Sequence, residues 1–323
     1  MEAPENTFDG LTKAEDSRLS AAAIIRIKNL ELRARIVVEG FLAGLHRSPY
    51  HGFSAEFTDY RQYSPGDDLR YLDWKLFARR DRYYIKRFEE ETNLRCYVLL
   101  DLSRSMGFGS LEYSKSDYAK TLAATFAYFL NRQRDAVGVV TFSDQIHELI
   151  APRYRTGHLR RLMIALDHST TGKSTDLSSP LEQLARTVTK RGMVVLISDL
   201  LVPVAQIQNQ LGYLRSQGHD VMIVRTLDPR EISFDFSNAA LFRDLDTGLE
   251  IFVDQQTTVR EYQQRFQEHN TALKRVCDQL GVDYFSLSTD QALDRGLFDL
   301  IQVRKQRGRS VPQTAQNRTR GGR

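Results

Sequence analysis

Five oxygen-bearing side chains, in chain order, carry the pattern in this sequence best suited to chemistry. Asp101, Ser103 and Ser105 stand in the run Asp101-Leu102-Ser103-Arg104-Ser105, and Thr175 and Asp199 follow. Two carboxylates and three hydroxyls make an all-oxygen set, the donor type that hard cations prefer. A divalent cation is therefore the expected cofactor, Mg2+ first, with Mn2+ or Ca2+ as alternatives. Magnesium retains several waters, so few direct protein bonds suffice and one coordination position is left for an outside ligand. Neutral hydroxyls where an enzyme would place carboxylates leave such an ion net positive and attractive to an anion. The short run alone says little, because Ser and Asp in loops often only cap helices. Its weight comes from where the other two residues fall.

Each of the three groups is expected at the end of an element that can aim it. The apolar run Leu94–Asp101 reads as a strand delivering Asp101 to a sheet edge, with Ser103 and Ser105 on one side of the loop that follows. Thr175 lies in the polar loop Ser169–Asp176 ahead of a helical segment, and Asp199 ends the strand Met193–Asp199. In doubly wound sheets ligands bind beyond the carboxyl ends of the strands.

The remaining pattern supplies such a sheet. Helical periodicity covers Tyr113–Arg134, Leu159–Asp167, Ser179–Lys190, Pro203–Gln217, Thr257–Leu280 and Gln291–Gln302. Strand-like runs cover Ala136–Phe142, Asp220–Thr226 and Val282–Leu287, and Gln145–Ile150 reads as the hairpin partner of the first. An antiparallel insert is expected at Leu241–Leu245 and Leu249–Val253. Strands alternating with helices predict an α/β fold, doubly wound, with a mostly parallel sheet. Before it, helical spacing from Leu19 to about Leu45 predicts one amphipathic N-terminal helix, followed by a small aromatic β-rich extension.

That extension holds eleven aromatics between Tyr50 and Phe88, about a third of the chain's 32. Nine acids against eight bases over Tyr50–Glu91 give it no electrostatic funnel for nucleic acid. The overall charge of +4 comes from 45 basic and 41 acidic residues, and seven of the basic ones lie beyond Val303 with no acid among them. Without that tail 38 bases face 41 acids, so the body is slightly acidic. Nucleic acid is not an expected partner of the body, and contact through the tail stands as an alternative. The expected organisation is a polar, disordered N-terminus over 1–18, the helix and aromatic segment over 19–93, the α/β domain over 94–302, and a basic disordered tail over 303–323.

No window reaches the ~20 apolar residues of a membrane helix, so no membrane span is expected. Cys96 and Cys277 match no metal or redox spacing, which favours a reduced, cytoplasmic protein. The seven histidines are scattered, without a metal-ligand pair on one helix face. A metal-dependent phosphohydrolase is the enzymatic alternative, since an acidic loop at a strand end also occurs in haloacid dehalogenase-like phosphatases. Those need a general-acid carboxylate two residues after the nucleophile, where this chain has Ser103.

Asp101, Ser103, Ser105, Thr175 and Asp199 together resemble the metal-ion-dependent adhesion site of von Willebrand factor A domains. The resemblance extends over about Leu94 to Gln302. It implies a dinucleotide-binding-like fold, a bound magnesium or manganese, and a partner protein whose acidic side chain completes the ion's shell. The run Glu56-Phe57-Thr58-Asp59-Tyr60-Arg61-Gln62-Tyr63-Ser64-Pro65-Gly66-Asp67-Asp68-Leu69-Arg70-Tyr71-Leu72-Asp73-Trp74-Lys75 resembles the signature of a bacterial family, domain of unknown function fifty-eight. That resemblance implies an association with MoxR-type AAA+ ATPases, in complex assembly or chaperone-like remodelling. Many members carry membrane helices ahead of the signature, where this chain has an amphipathic helix.

Overall fold

The computed structural model describes residues 20–47, 60–62, 83–86, 94–168, 177–188, 190–234, 240–243, 250–253 and 255–308. Thr175, the N-terminus over 1–18, most of the aromatic signature and the tail beyond Gly308 lie outside these residues. The chain divides into two compact units. One combines Met1–Phe41 with Arg95–Arg323, and the other is Leu42–Leu94.

Two helices open the described chain, α1 (Ala21–Ile25) and α2 (Leu30–Arg47), where the periodicity predicts a single one. The break has a local cause. Ser20 Oγ accepts the Ala23 amide and caps α1. Asn29 Oδ1 accepts the Leu32 amide at 2.8 Å and starts α2 afresh. Asn and Ser satisfy the free amides of a helix start better than they extend a helix. Ala21, Ile24, Ile25, Leu30, Ala34, Val37, Val38 and Phe41 are buried. The helical face up to Phe41 therefore belongs to the larger unit, not to a common 19–93 segment with the aromatic stretch.

In the smaller unit, β1 (Tyr60–Gln62) and β2 (Tyr84–Lys86) pair antiparallel, with Arg61 opposite Ile85.

The larger unit alternates strands and helices as predicted. In order come β3 (Arg95–Asp101), a 3-10 turn Arg104–Gly107, α3 (Lys115–Arg132), β4 (Ala136–Phe142), β5 (Ile146–Arg153), α4 (His158–Leu166), α5 (Ser178–Thr187) and β6 (Met193–Ser198). Then follow α6 (Val204–Ser216), β7 (Asp220–Leu227), α7 (Pro229–Ser233), β8 (Ala240–Arg243), β9 (Glu250–Val253), α8 (Gln255–Leu280), β10 (Asp283–Ser288) and α9 (Asp294–Gly308). The last helix runs six residues past Gln302, and Val303 is buried. Residues 303–308 thus belong to a helix and not to the tail.

Six strands form one sheet in the order β10-β7-β6-β3-β4-β5, parallel except for β5, and β8 pairs with β9 separately. The doubly wound expectation holds. β6 is buried throughout and β7 nearly so, as strands covered on both faces should be. One face packs Leu99, Val140, Leu196 and Ile223 against Leu181, Leu184, Ile207, Leu211 and Cys277 of α5, α6 and α8. Val98 and Leu100, of opposite parity on β3, turn to the face covered by α3. β5 lies at the edge and alternates buried and exposed positions towards its end. Its pairing with β4 slips between Val137 and Val139, and there a Cβ on Gly138 would meet the Ile150 carbonyl oxygen at 2.4 Å.

Candidate functional site

From β3 the chain winds to one side of the sheet through β4 and β5, and from β6 to the other through β7 and β10. The reversal falls between the paired strands β3 and β6. Asp101 ends β3, and Asp199 follows the last residue of β6. The fold thus brings both predicted carboxylates to the crevice of a topological switch point.

Both are wholly buried, as is Ser103, while Ser105 is half-buried. Asp101 Oδ1 accepts the Ser103 amide at 2.8 Å, which folds the loop back over the strand end. Its Oδ2 accepts the Ser198 hydroxyl at 2.6 Å. Ser103 Oγ and Ser105 Oγ stand 3.1 Å apart, and the Ser105 hydroxyl also bonds the Asp199 carboxylate. Burial, and then the charge of Asp199, push the Asp101 carboxyl up to about 7. Four of the five predicted residues are therefore gathered at one place. Thr175 lies outside the described residues, although Leu177, just before α5, is buried in the core.

The chain after Asp199 is held in an uncommon shape. Leu200 has a φ of +50°, a left-handed conformation that costs a side-chain-bearing residue about 1 kcal/mol or more. Several bonds impose it. The Leu200 amide donates to Ser198 Oγ at 3.0 Å, the Leu201 amide to Asp199 Oδ1 at 3.3 Å, and His269 Nε2 of α8 meets the Leu200 carbonyl at 2.9 Å. Arg225 of β7, wholly buried, donates from Nε to the Asp199 carbonyl at 2.8 Å and from Nη1 to Asn270. It lies 5.4 Å from the Phe266 ring centroid, a cation–π contact.

Three residues that the motif does not contain complete the surroundings. Lys115, the first residue of α3, is wholly buried, with Nζ 2.8 Å from Asp199 Oδ2 and 2.6 Å from Glu231 Oε1. Burial disfavours its charge, but Asp199 and Glu231 more than offset this and raise its pKa. Burial likewise works against ionised Asp199, and the Lys115 ammonium outweighs it, holding the carboxyl below its ordinary value. At Glu231 burial wins and the pKa rises. Glu231 sits on α7, whose Asp228 accepts the Ser110 amide and hydroxyl at 2.8 and 2.5 Å and so ties α7 to the loop after β3. Ser198, the third, bridges β6 to Asp101. The signal for α7 is present in the sequence: Asp228-Pro229-Arg230-Glu231 has a capping aspartate, a proline at the first helical position and a glutamate three residues after the cap. Lys115 and Ser198 have no comparable signal.

The donor set suits a hard cation. Two buried carboxylates, one with its proton affinity raised by the other, are relieved by a positive charge between them. Among the described residues no three His, Cys, Asp or Glu side chains converge as a metal cluster. The candidate set reaches four oxygen donors only by including hydroxyls. Asp101, Ser103, Ser105 and Asp199 are the described residues that would hold an ion. No described helix is long and apolar enough to cross a membrane.

A family model described as "Protein of unknown function DUF58" matches residues 59–272. The uncharacterized protein Rv1480 of Mycobacterium tuberculosis is 26% identical over 285 residues, which is 86% of this chain and 87% of its own length. The uncharacterized protein MAV169 of Mycobacterium avium is 27% identical over 155 residues, 47% of this chain and 88% of its own. Among solved structures, an aerotolerance-related membrane protein of Bacteroides fragilis aligns over 65% of this chain and 98% of its own, with 16% identity and a TM-score of 0.45. The VWA domain of SpRpn10 aligns over 63% of this chain and 94% of its own, with 10% identity and a TM-score of 0.38.

Proposed function

The chain belongs to the DUF58 family and folds as a doubly wound α/β domain with a mostly parallel sheet, and on that premise we propose that it is a von Willebrand factor A-like protein-interaction module whose contact runs through a divalent cation. The ion, Mg2+ first and Mn2+ or Ca2+ as alternatives, is held by Asp101, Ser103, Ser105, Thr175 and Asp199. The observation that supports this reading is the convergence of two wholly buried carboxylates and two serine hydroxyls at the switch point of the sheet. When bound, the ion supplies an open coordination position with net positive charge, suited to a carboxylate of a partner.

The chain's own residues do the positioning. Asp101 is fixed by the Ser103 amide and the Ser198 hydroxyl, and Asp199 by the strained turn at Leu200. The non-catalytic reading rests on Ser103, which stands where a phosphohydrolase of this general type would carry its acid. A MoxR-type AAA+ ATPase is the partner we propose, on the family resemblance. Cytoplasmic residence, consistent with two buried free cysteines, is part of the same proposal.

The test is capture of partners from a native lysate with the full chain as bait, in Mg2+ and in excess chelator, beside Ser103→Ala/Ser105→Ala. Capture in Mg2+ alone, lost in the double variant, is the expected result. Equal capture in chelator overturns the metal-dependent reading.

A further inference from the structure

Lys115 poses a question that a cation site by itself does not answer. Its ammonium is wholly buried and divides its bonds between Asp199, a proposed ligand, and Glu231, which is not one. A buried ion pair is weak evidence for stability, since apolar residues of similar volume often serve as well. A structural role alone therefore gives no reason for a lysine here. The position gives one, because Asp199 Oδ2 is the oxygen that Lys115 occupies, and Oδ1 already receives the Leu201 amide.

Glu231 is built to receive the ammonium. Its Oε2 accepts the Asp228 amide at 3.0 Å, which fixes the carboxylate on α7 and leaves Oε1 for Lys115. The backbone carbonyl of the same residue accepts the Tyr262 hydroxyl at 2.8 Å, and Tyr262 stacks on Phe234 at 4.1 Å. Asp199 and Glu231 are thus two fixed acceptors that one lysine reaches from a single backbone position.

We propose that Lys115 is a resident counter-cation that competes with the divalent ion for Asp199, and that Glu231 is the berth that keeps the ammonium when the ion takes Asp199. This rests on the metal-site reading above. A dication and an ammonium sharing one carboxylate repel each other, so the site binds its ion more weakly than its donors alone would allow. Removing the lysine tightens binding, and removing the negative charge of its second acceptor weakens it.

The test is isothermal titration of the full chain with Mn2+ in wild type, Lys115→Met, Glu231→Gln and, as a control, Arg104→Gln. Lys115→Met is expected to bind about tenfold tighter than wild type and Glu231→Gln about threefold or more weaker. Arg104→Gln removes an exposed charge of the same sign from the loop and should change affinity less than about twofold. Binding by Lys115→Met when wild type shows none also supports the proposal, as competition at its extreme. Wild-type binding that Lys115→Met leaves equal or weaker overturns the competition while the metal site stands. No Mn2+ binding by either overturns both. Should Lys115→Met not fold, Glu231→Gln decides, and unchanged or tighter binding there overturns the proposal.

Discussion

Replacing Asp199 with alanine removes one of the two acceptors that, among the described residues, meet a wholly buried ammonium. Breaking a buried pair from one side costs about 3–5 kcal/mol, because the other charge is left uncompensated. Asp199→Ala should therefore lower urea-unfolding stability by about that much, whereas Ser103→Ala/Ser105→Ala removes two hydroxyls and should cost about 1–2 kcal/mol. A comparable loss in both variants would contradict this ranking, which is also why the serine pair is the cleaner probe of function. Asp299 of α9 offers a pH test away from the site. Burial pushes its carboxyl up to about 6, against the pull of Arg295. The fold thus favours the protonated acid, and its contribution is complete below about pH 4 and lost as pH rises through about 6. Discounting for its partial exposure, Asp299→Asn should be about 1 kcal/mol more stable than wild type at pH 8, a gap that closes towards pH 4. The gathering of four of the candidate residues at one place was legible because strand-end carboxylates and hydroxyls form a spaced pattern. Lys115 and Ser198 were not, since each acquires its role only when strands and helices distant in sequence meet.

Element type was largely legible from periodicity, and its failures lie where periodicity has no room to develop. α7 is a five-residue helix, too short to show a 3.6-residue repeat, and it carries Glu231. The N-terminal apolar spacing runs unbroken across Arg26–Asn29, so the break between α1 and α2 is marked by the fresh start that Asn29 gives α2. β4 and β5 were read correctly as a hairpin, although alternation alone did not reveal the slip in their register. That slip makes Gly138 an element-scale test. A methyl there would meet backbone, the Ile150 carbonyl oxygen at 2.4 Å and the Pro152 nitrogen at 2.7 Å, and backbone cannot swing aside as a side chain would. Gly138→Ala should destabilise the protein by about 1–3 kcal/mol in chemical unfolding without altering the residues at the candidate site. An unchanged midpoint would show that the edge of the sheet yields more easily than its packing suggests.

For the whole molecule, the boundaries matter to any shortened chain. Because α9 runs to Gly308 and Val303 is buried, ending the chain at Gln302 should lower the melting temperature by several degrees, the shift expected for about 1–2 kcal/mol. Ending it at Gly308 should leave melting unchanged, and the shorter tail deletion is the one suited to testing nucleic-acid retention. The doubly wound architecture was legible from alternation of strands and helices. The division into units at Phe41 was not, because the amphipathic face of the N-terminal helices does not say which core it covers. The edge of the large sheet carries one last consequence. β5 pairs antiparallel, slips twice in register, and contains Pro152, which has no amide hydrogen to offer a neighbour. Such an edge resists extension by another chain's strand. Recognition by β-augmentation is thus disfavoured on that side, and the same irregularity that constrains Gly138 works against edge-to-edge association of the sheet.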